Sequence, residues 1–178
     1  HNVLASPFGW HDTNGVAGAE YTVTRGNNVW AVEDINGNNG IGASPNGGVG
    51  LTFDFTYGGT GVAASTYTNA STTNLFYMNN IMHDVWYNYG FNEANGNFQQ
   101  NNYGRGGAAS DYVNADAQDG SGTNNANFST PPDGSAGRMQ MYLWNYGPQP
   151  KFLTINSPAS IAGDYTVSNN VFNPGNVA

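Results

Sequence analysis

Short runs of alternating apolar and polar residues fill the first third of the chain, separated by Gly and Asn. Residues 21–25 and 29–33 are β-prone runs joined by Gly26-Asn27-Asn28, a hairpin-like link. Residues 34–48 are turn-rich and read as loop. From Val49 to Tyr57 the side chains of Leu51, Phe53, Phe55 and Tyr57 share one face and Thr52, Asp54 and Thr56 the other, which predicts a half-buried strand. The period then changes. Between about residues 71 and 89, Leu75, Met78, Met82, Val85 and Tyr89 recur at spacings of three and four, and Phe76, Ile81 and Trp86 widen the stripe. This predicts one long amphipathic helix. Ser71 or Thr72 is the expected N-cap, and Gly90 the expected left-handed residue past the end. An amide- and glycine-rich loop is expected over 92–107, a strand over 111–118, a turn over 119–122 and a short extended piece over 124–128. Residues 138–144 alternate cleanly, and 151–156 and 165–167 are weaker strands. The fold class is therefore α+β, mainly β, with one long helix at about 71–89.

Composition narrows the chemistry. The 178 residues weigh 18.9 kDa, enough for a hydrophobic core without staples. Only 9% of residues are charged and the net charge is −8, so the 28 Asn, 25 Gly and 11 Tyr must supply much of the solvated surface. Arg25, Arg105, Arg138 and Lys151 are the only cations in the sequence. Four cations cannot neutralise a run of phosphates, so neither nucleic acid nor an anionic membrane surface is expected as a partner. No apolar run is long enough to span a bilayer. With no Cys in the sequence, disulfides, thiolate metal sites and Cys nucleophiles are excluded. The amide-rich, Lys-poor composition suggests an exported protein, and His1 is expected to be the start of a processed chain.

Few residues carry a chemical signature. His1, His11 and His83 are far apart in sequence, and around His83 the positions one helical turn away hold Asn79, Asn80, Trp86 and Tyr87. Sequence spacing alone therefore builds no zinc site, and His83 reads either as a core histidine or as a ligand or base completed by tertiary structure. Asp111, Asp116, Asp119 and Asp133 lie among Gly- and Asn-rich turns, which leaves calcium binding and solvated turn carboxylates both open. There is no Gly-x-Ser-x-Gly elbow and no phosphate-binding loop. Tyr, Trp and Asn side chains could also build a glycan platform.

A longer pattern is more specific. Phe8-Gly-Trp-His-Asp12, residues 21–28, Leu75-Phe-Tyr with His83-Asp84, Tyr89-Gly-Phe-Asn-Glu93 and Gly96-Asn-Phe-Gln99 follow in order. After them come residues 117–128, Thr130-Pro-Pro-Asp-Gly134 and Gly137-Arg-Met-Gln-Met-Tyr-Leu-Trp144. Together they resemble the start of the fungalysin-type secreted zinc metallopeptidases, over roughly residues 8–144. The resemblance implies a thermolysin-like fold, of which this chain would be the N-terminal β-rich lobe. It implies a secreted protein after removal of signal and propeptide, a peptide or protein substrate, and peptide hydrolysis by metal-activated water. It also implies that Asn124, Asn125 and Ala126, with Asn127 and Phe128 beside them, form the edge strand that takes up substrate.

One departure matters. The family's zinc is held by a His-Glu-x-x-His helix, and this chain has no such motif. The expectation is therefore a chain with no catalytic or metal-ligating residue of its own, inactive alone. Residues 1–144 would be the lobe, and 145–178 a strand-and-turn tail leading to a C-terminal half or an inserted domain. The partners would be that C-terminal half or copies of the chain itself, with zinc held by ligands outside the chain. The alternative is a non-catalytic extracellular module, binding or self-assembling, derived from the same lobe. In either case an apolar face is expected where the zinc helix would pack.

Overall fold

A computed structural model describes residues 1–59 and 61–145. Its elements are β1 (Val29–Glu33), α1 (Thr68–Tyr87), β2 (Val113–Thr123), β3 (Ala126–Ser129) and β4 (Arg138–Leu143), with single 3₁₀ turns at Ala64–Thr66 and Glu93–Asn95. The strands form one mixed sheet in the order β1-β2-β4-β3. β1 runs parallel to β2 and β2 parallel to β4, while β3 returns antiparallel along β4. The α+β class holds.

A parallel pair needs a crossover, and α1 lies within the one that joins β1 to β2 and packs against both strands. The core beneath it is made of Val29 and Ala31 from β1, Val113, Ala115 and Ala117 from β2, and Leu75 and Phe76 from α1. Trp10, Phe98 and Met139 close its margins. Three of the five strand residues are Ala, so the helix can approach the sheet closely.

Several elements differ from the sequence expectation. Residues 21–25 make only isolated bridges, Val23 to Asn46 and Arg25 to Trp30. Residues 49–57 are no strand, and Leu51 sits at φ 50°. Their alternation still delivers Leu51, Phe53, Phe55 and Tyr57 to one cavity of about 550 Å³, shared with Trp10, His11, Phe76 and Tyr77. The helix starts at Thr68, not Ser71. Ser71 Oγ and Thr72 Oγ1 both donate to Thr68 O (2.9 Å each) inside the first turn instead of capping it. Gly90 does take a left-handed conformation, at φ 96°. The turn expected over 119–122 is the continuation of β2. The strand shifts register after Ala117, with Gln118 at φ 52°, and runs on as a bulge. Gly120 is required there, because a Cβ would lie 2.0 Å from Ile35 O. The strands expected over 151–156 and 165–167 lie outside the described residues.

The facing of α1 is a structural finding. Its period is helical, but the stripe does not face the core beyond Leu75 and Phe76. The buried positions are Thr72, Leu75, Phe76, Asn80, His83 and Asp84. Met78, Met82, Val85, Trp86 and, past the helix, Tyr89 are all exposed. The polar face is buried because it is fully engaged in hydrogen bonds, which leaves the apolar stripe outward.

Candidate functional site

The expected edge strand is at the edge. β3 pairs only with β4 among the described residues, and all four of its residues are exposed. Tyr142 N donates to Asn125 O at 3.3 Å, which fixes the phase of the pair. By alternation the backbone groups of Ala126 and Phe128 turn to the open side. Ala126 N–H is held meanwhile by its neighbour, donating to Asn125 Oδ1 at 2.8 Å. Asn124 sits at φ 57° and its N–H donates to Leu143 O at 2.8 Å, so the turn into β3 is anchored on β4. Asn127 Nδ2 donates to Tyr142 Oη, and the Phe128 ring meets Phe98 with centroids 5.5 Å apart. The five residues thus form one continuous ledge.

His83 belongs to a different structure. Asn97 Nδ2 donates to its Nε2 at 3.2 Å, which leaves Nδ1–H to donate to Asp84 Oδ1 at 3.3 Å. Asp84 also accepts from Asn2 N (2.7 Å), Ser6 Oγ (2.8 Å) and Trp10 Nε1 (2.9 Å). Burial pushes the Asp84 carboxyl up, but the His83, Asn2, Trp10 and Ser6 hydrogen bonds outweigh it and hold it below the ordinary carboxylate range. Both ring nitrogens of His83 are engaged, so the core-histidine reading is the one the geometry favours. Its cluster ties the N-terminal segment to α1.

His11 stacks on Phe53, with ring centroids 5.4 Å apart, and burial lowers its pKa. His1 is exposed at the terminus. Among the described residues, the only group of three potential metal-ligating side chains is Asp34, Asp116 and Asp119, which offers oxygen alone. Zinc sites are built mainly on His and Cys with at most a carboxylate or two. The residues present do not fit a zinc centre.

The sequence-clustered aspartates separate into two pairs. Asp111 Oδ1 accepts Gln99 N–H at 2.9 Å and its Oδ2 accepts Gly134 N–H at 3.1 Å, while Asp133 Oδ2 accepts Ala108 N–H at 2.9 Å. Burial pushes the Asp111 carboxyl up. This pair staples loops. Asp116 and Asp119 lie on β2 and meet Asp34, which sequence reasoning missed. The missing signal was tertiary: Asp34 follows β1, and the parallel register Glu33 to Ala117 carries it to the bulge.

The chain matches the family described as fungalysin metallopeptidase over residues 1–172. It is 48% identical over 145 residues to extracellular metalloproteinase 3 of Trichophyton tonsurans, covering 79% of this chain and 22% of that protein. It is 47% identical over 148 residues to extracellular metalloproteinase MEP of Fusarium vanettenii, with 82% and 22% covered. Extracellular metalloproteinase 1 of Arthroderma otae is 43% identical over 171 residues, with 93% and 26% covered. The chain thus spans about a quarter or less of the length of these relatives.

Proposed function

The chain belongs to the fungalysin metallopeptidase family, and we propose that within it these residues form the substrate-binding wall of a secreted endopeptidase. The observation that carries this reading is β3, a sheet edge exposed along its whole length with outward backbone groups at Ala126 and Phe128. An extended peptide docks on such an edge as one more antiparallel or parallel strand, held by main-chain hydrogen bonds that are indifferent to its sequence. In this reading Asn125 exchanges its bond to Ala126 N–H for the peptide backbone, and Ala126 then bonds the peptide through its main chain. Asn124 and Asn127, fixed to β4, hold the ledge straight, and Phe128 offers an apolar surface beside it.

The metal centre is not supplied here. The name of the family implies a metal. We take it to be zinc, held with its general base by residues outside this chain, so the chain alone does not hydrolyse peptides. The relatives are named extracellular, which supports secretion of this one. Among the described residues no helix is long and apolar enough to cross a membrane. The exposed stripe Met78, Met82, Val85 and Trp86 is the face against which the catalytic half packs.

The test is peptide hydrolysis by the protein carrying whatever its gene adds to these residues. Ala126→Pro removes the outward N–H, and Asn125→Ala removes the amide. Each is expected to lower kcat/KM at least tenfold while near-UV circular dichroism stays unchanged. Unaltered kinetics in both variants overturn the role of the edge. A gene that stops at Ala178 with no His-Glu-x-x-His segment would instead support the non-catalytic module.

A further inference from the structure

The end of the β1–β2 pair carries a second feature, independent of any peptidase activity. Asp34, just past β1, and Asp116 and Asp119 on β2 each offer a carboxylate oxygen within 4.8 Å of the other two. The residues are 4%, 0% and 0% exposed. The backbone locks them in place. Asp34 N–H donates to Ala117 O at 3.1 Å, and Gly120 N–H donates to Asp34 O at 2.9 Å.

Their charge is not balanced by the protein. Arg138 bonds Asp116 Oδ2. Arg25 lies instead over the rings of Tyr21 and Trp30, Arg105 pairs with Glu93, and Lys151 lies outside the described residues. Among the described residues, one guanidinium therefore meets three buried carboxylates. Burying like charges with so little compensation is costly, and a divalent cation removes the cost.

The three carboxylates are unevenly satisfied by hydrogen bonds. Asp34 Oδ1 and Oδ2 accept Asn38 N–H (3.1 Å) and Asn39 N–H (2.8 Å). Asp119 Oδ1 accepts Ser121 N–H at 2.7 Å, and its Oδ2 accepts Gln140 Nε2–H at 2.6 Å. Asp116 Oδ2 is taken by Arg138, and Asp116 Oδ1 has no partner although the residue has no exposed surface. A fully buried carboxylate oxygen without a donor, beside two further carboxylates, suits a cation ligand better than a closed hydrogen-bond network.

The donor set selects the ion. All-oxygen ligands suit hard cations, and calcium–oxygen bonds of about 2.3–2.6 Å let oxygens on opposite sides of one ion stand roughly 5 Å apart. Magnesium, at about 2.0–2.1 Å, demands a near-octahedral shell and gives up its waters reluctantly, which three carboxylates held by the backbone serve less well. Asp34 also lines a polar cavity of about 260 Å³ with Glu33, Asn36 and Asn38, which is large enough to admit water to the remaining coordination positions. We propose that Asp34, Asp116 and Asp119 bind one calcium ion, which fastens the loop after β1 to the bulge of β2.

The test uses the full chain with any sequence its gene adds at either end, stripped with EGTA. Bound calcium is counted by equilibrium dialysis, and Tm is measured with 5 mM calcium or magnesium chloride. The wild-type protein is expected to hold one calcium more than Asp116→Asn or Asp34→Asn. Calcium should raise its Tm by several degrees and leave that of both variants unmoved. Asp133→Asn, in the other aspartate pair, is expected to keep the full count. Should Asp116→Asn lose its native near-UV spectrum, Asp34→Asn, altered outside the strands, carries the comparison. Equal calcium counts in wild type and variants overturn the proposal, as does equal protection by magnesium or loss of the ion in Asp133→Asn.

Discussion

Asp84 shows how much a single buried carboxylate organises. It draws together Asn2, Ser6, Trp10 and His83, residues from two distant segments, and no residue pattern announces it. Asp84→Ala leaves those donors unsatisfied and is expected to cost about 3 kcal/mol in urea unfolding. The sign of its pH dependence follows from its depressed pKa. The carboxyl is held below its unfolded value, so its contribution is complete above the ordinary carboxylate range, near pH 4, and is lost as pH falls through the lower folded value. Urea midpoints between pH 6 and 2 should therefore fall more steeply for wild type than for Asp84→Ala. Gly120 is a second residue of this kind. Gly120→Ala places a methyl on Ile35 O and is expected to destabilise by about 2 kcal/mol in the same assay. In sequence Gly120 reads as part of a turn, because a glycine that admits another backbone looks no different from one that bends its own.

At the scale of elements the period was legible and its facing was not. Spacings of three and four announce α1 correctly, yet a helical period says only that one face is apolar. Which face is buried depends on partners from elsewhere in the chain. Here Asn80 Oδ1 accepts Asn28 Nδ2–H at 3.0 Å and Thr72 bonds within the helix, so the polar face is satisfied inside. The same reasoning explains residues 49–57. Alternation placed four apolar side chains on one side, but a strand also needs a ladder partner, which alternation does not supply. The pattern announced a short extended piece at 124–128, but its uniform exposure gives no sign that it lies at a sheet edge, which only the family resemblance implied. If the α1 stripe is a docking face, Met82→Glu should change the lobe's own unfolding midpoint little, by about 0.5 kcal/mol or less. It should sharply reduce the yield of the protein that carries the complementary half.

For the whole molecule, the poverty in charge takes on a sharper meaning. Four cations are too few to be scattered, and each described one has a place: Arg25 over aromatic rings, Arg105 on Glu93, Arg138 on Asp116. Composition pointed to a surface of amides and rings, yet Asn27, Asn28, Asn80, Asn97 and Gln99 are buried. It could not show that three carboxylates would converge, because that requires β1 and β2 to lie side by side. The apolar stripe belongs to this scale as well. The 178-residue chain is expected to bind an apolar fluorophore such as anilinonaphthalene sulfonate at neutral pH, and a longer protein in which the proposed catalytic half covers the stripe to bind far less. Equal fluorescence from both would mean that the stripe is not a lobe interface.

The parallel pairing of β1 with β2 has a consequence in time. Val29 is matched to Val113, so more than eighty residues must be made before the first strand meets its neighbour. At about 5–20 residues per second, a ribosome leaves that strand waiting for roughly 4 to 16 s. Helix α1 is complete well within this interval and can cover one face of β1, but nothing local can occupy the edge. The three carboxylates come together only when the wait is over and the register is correct. Their assembly therefore follows the pairing of β1 with β2 and reports that the two strands have met in register.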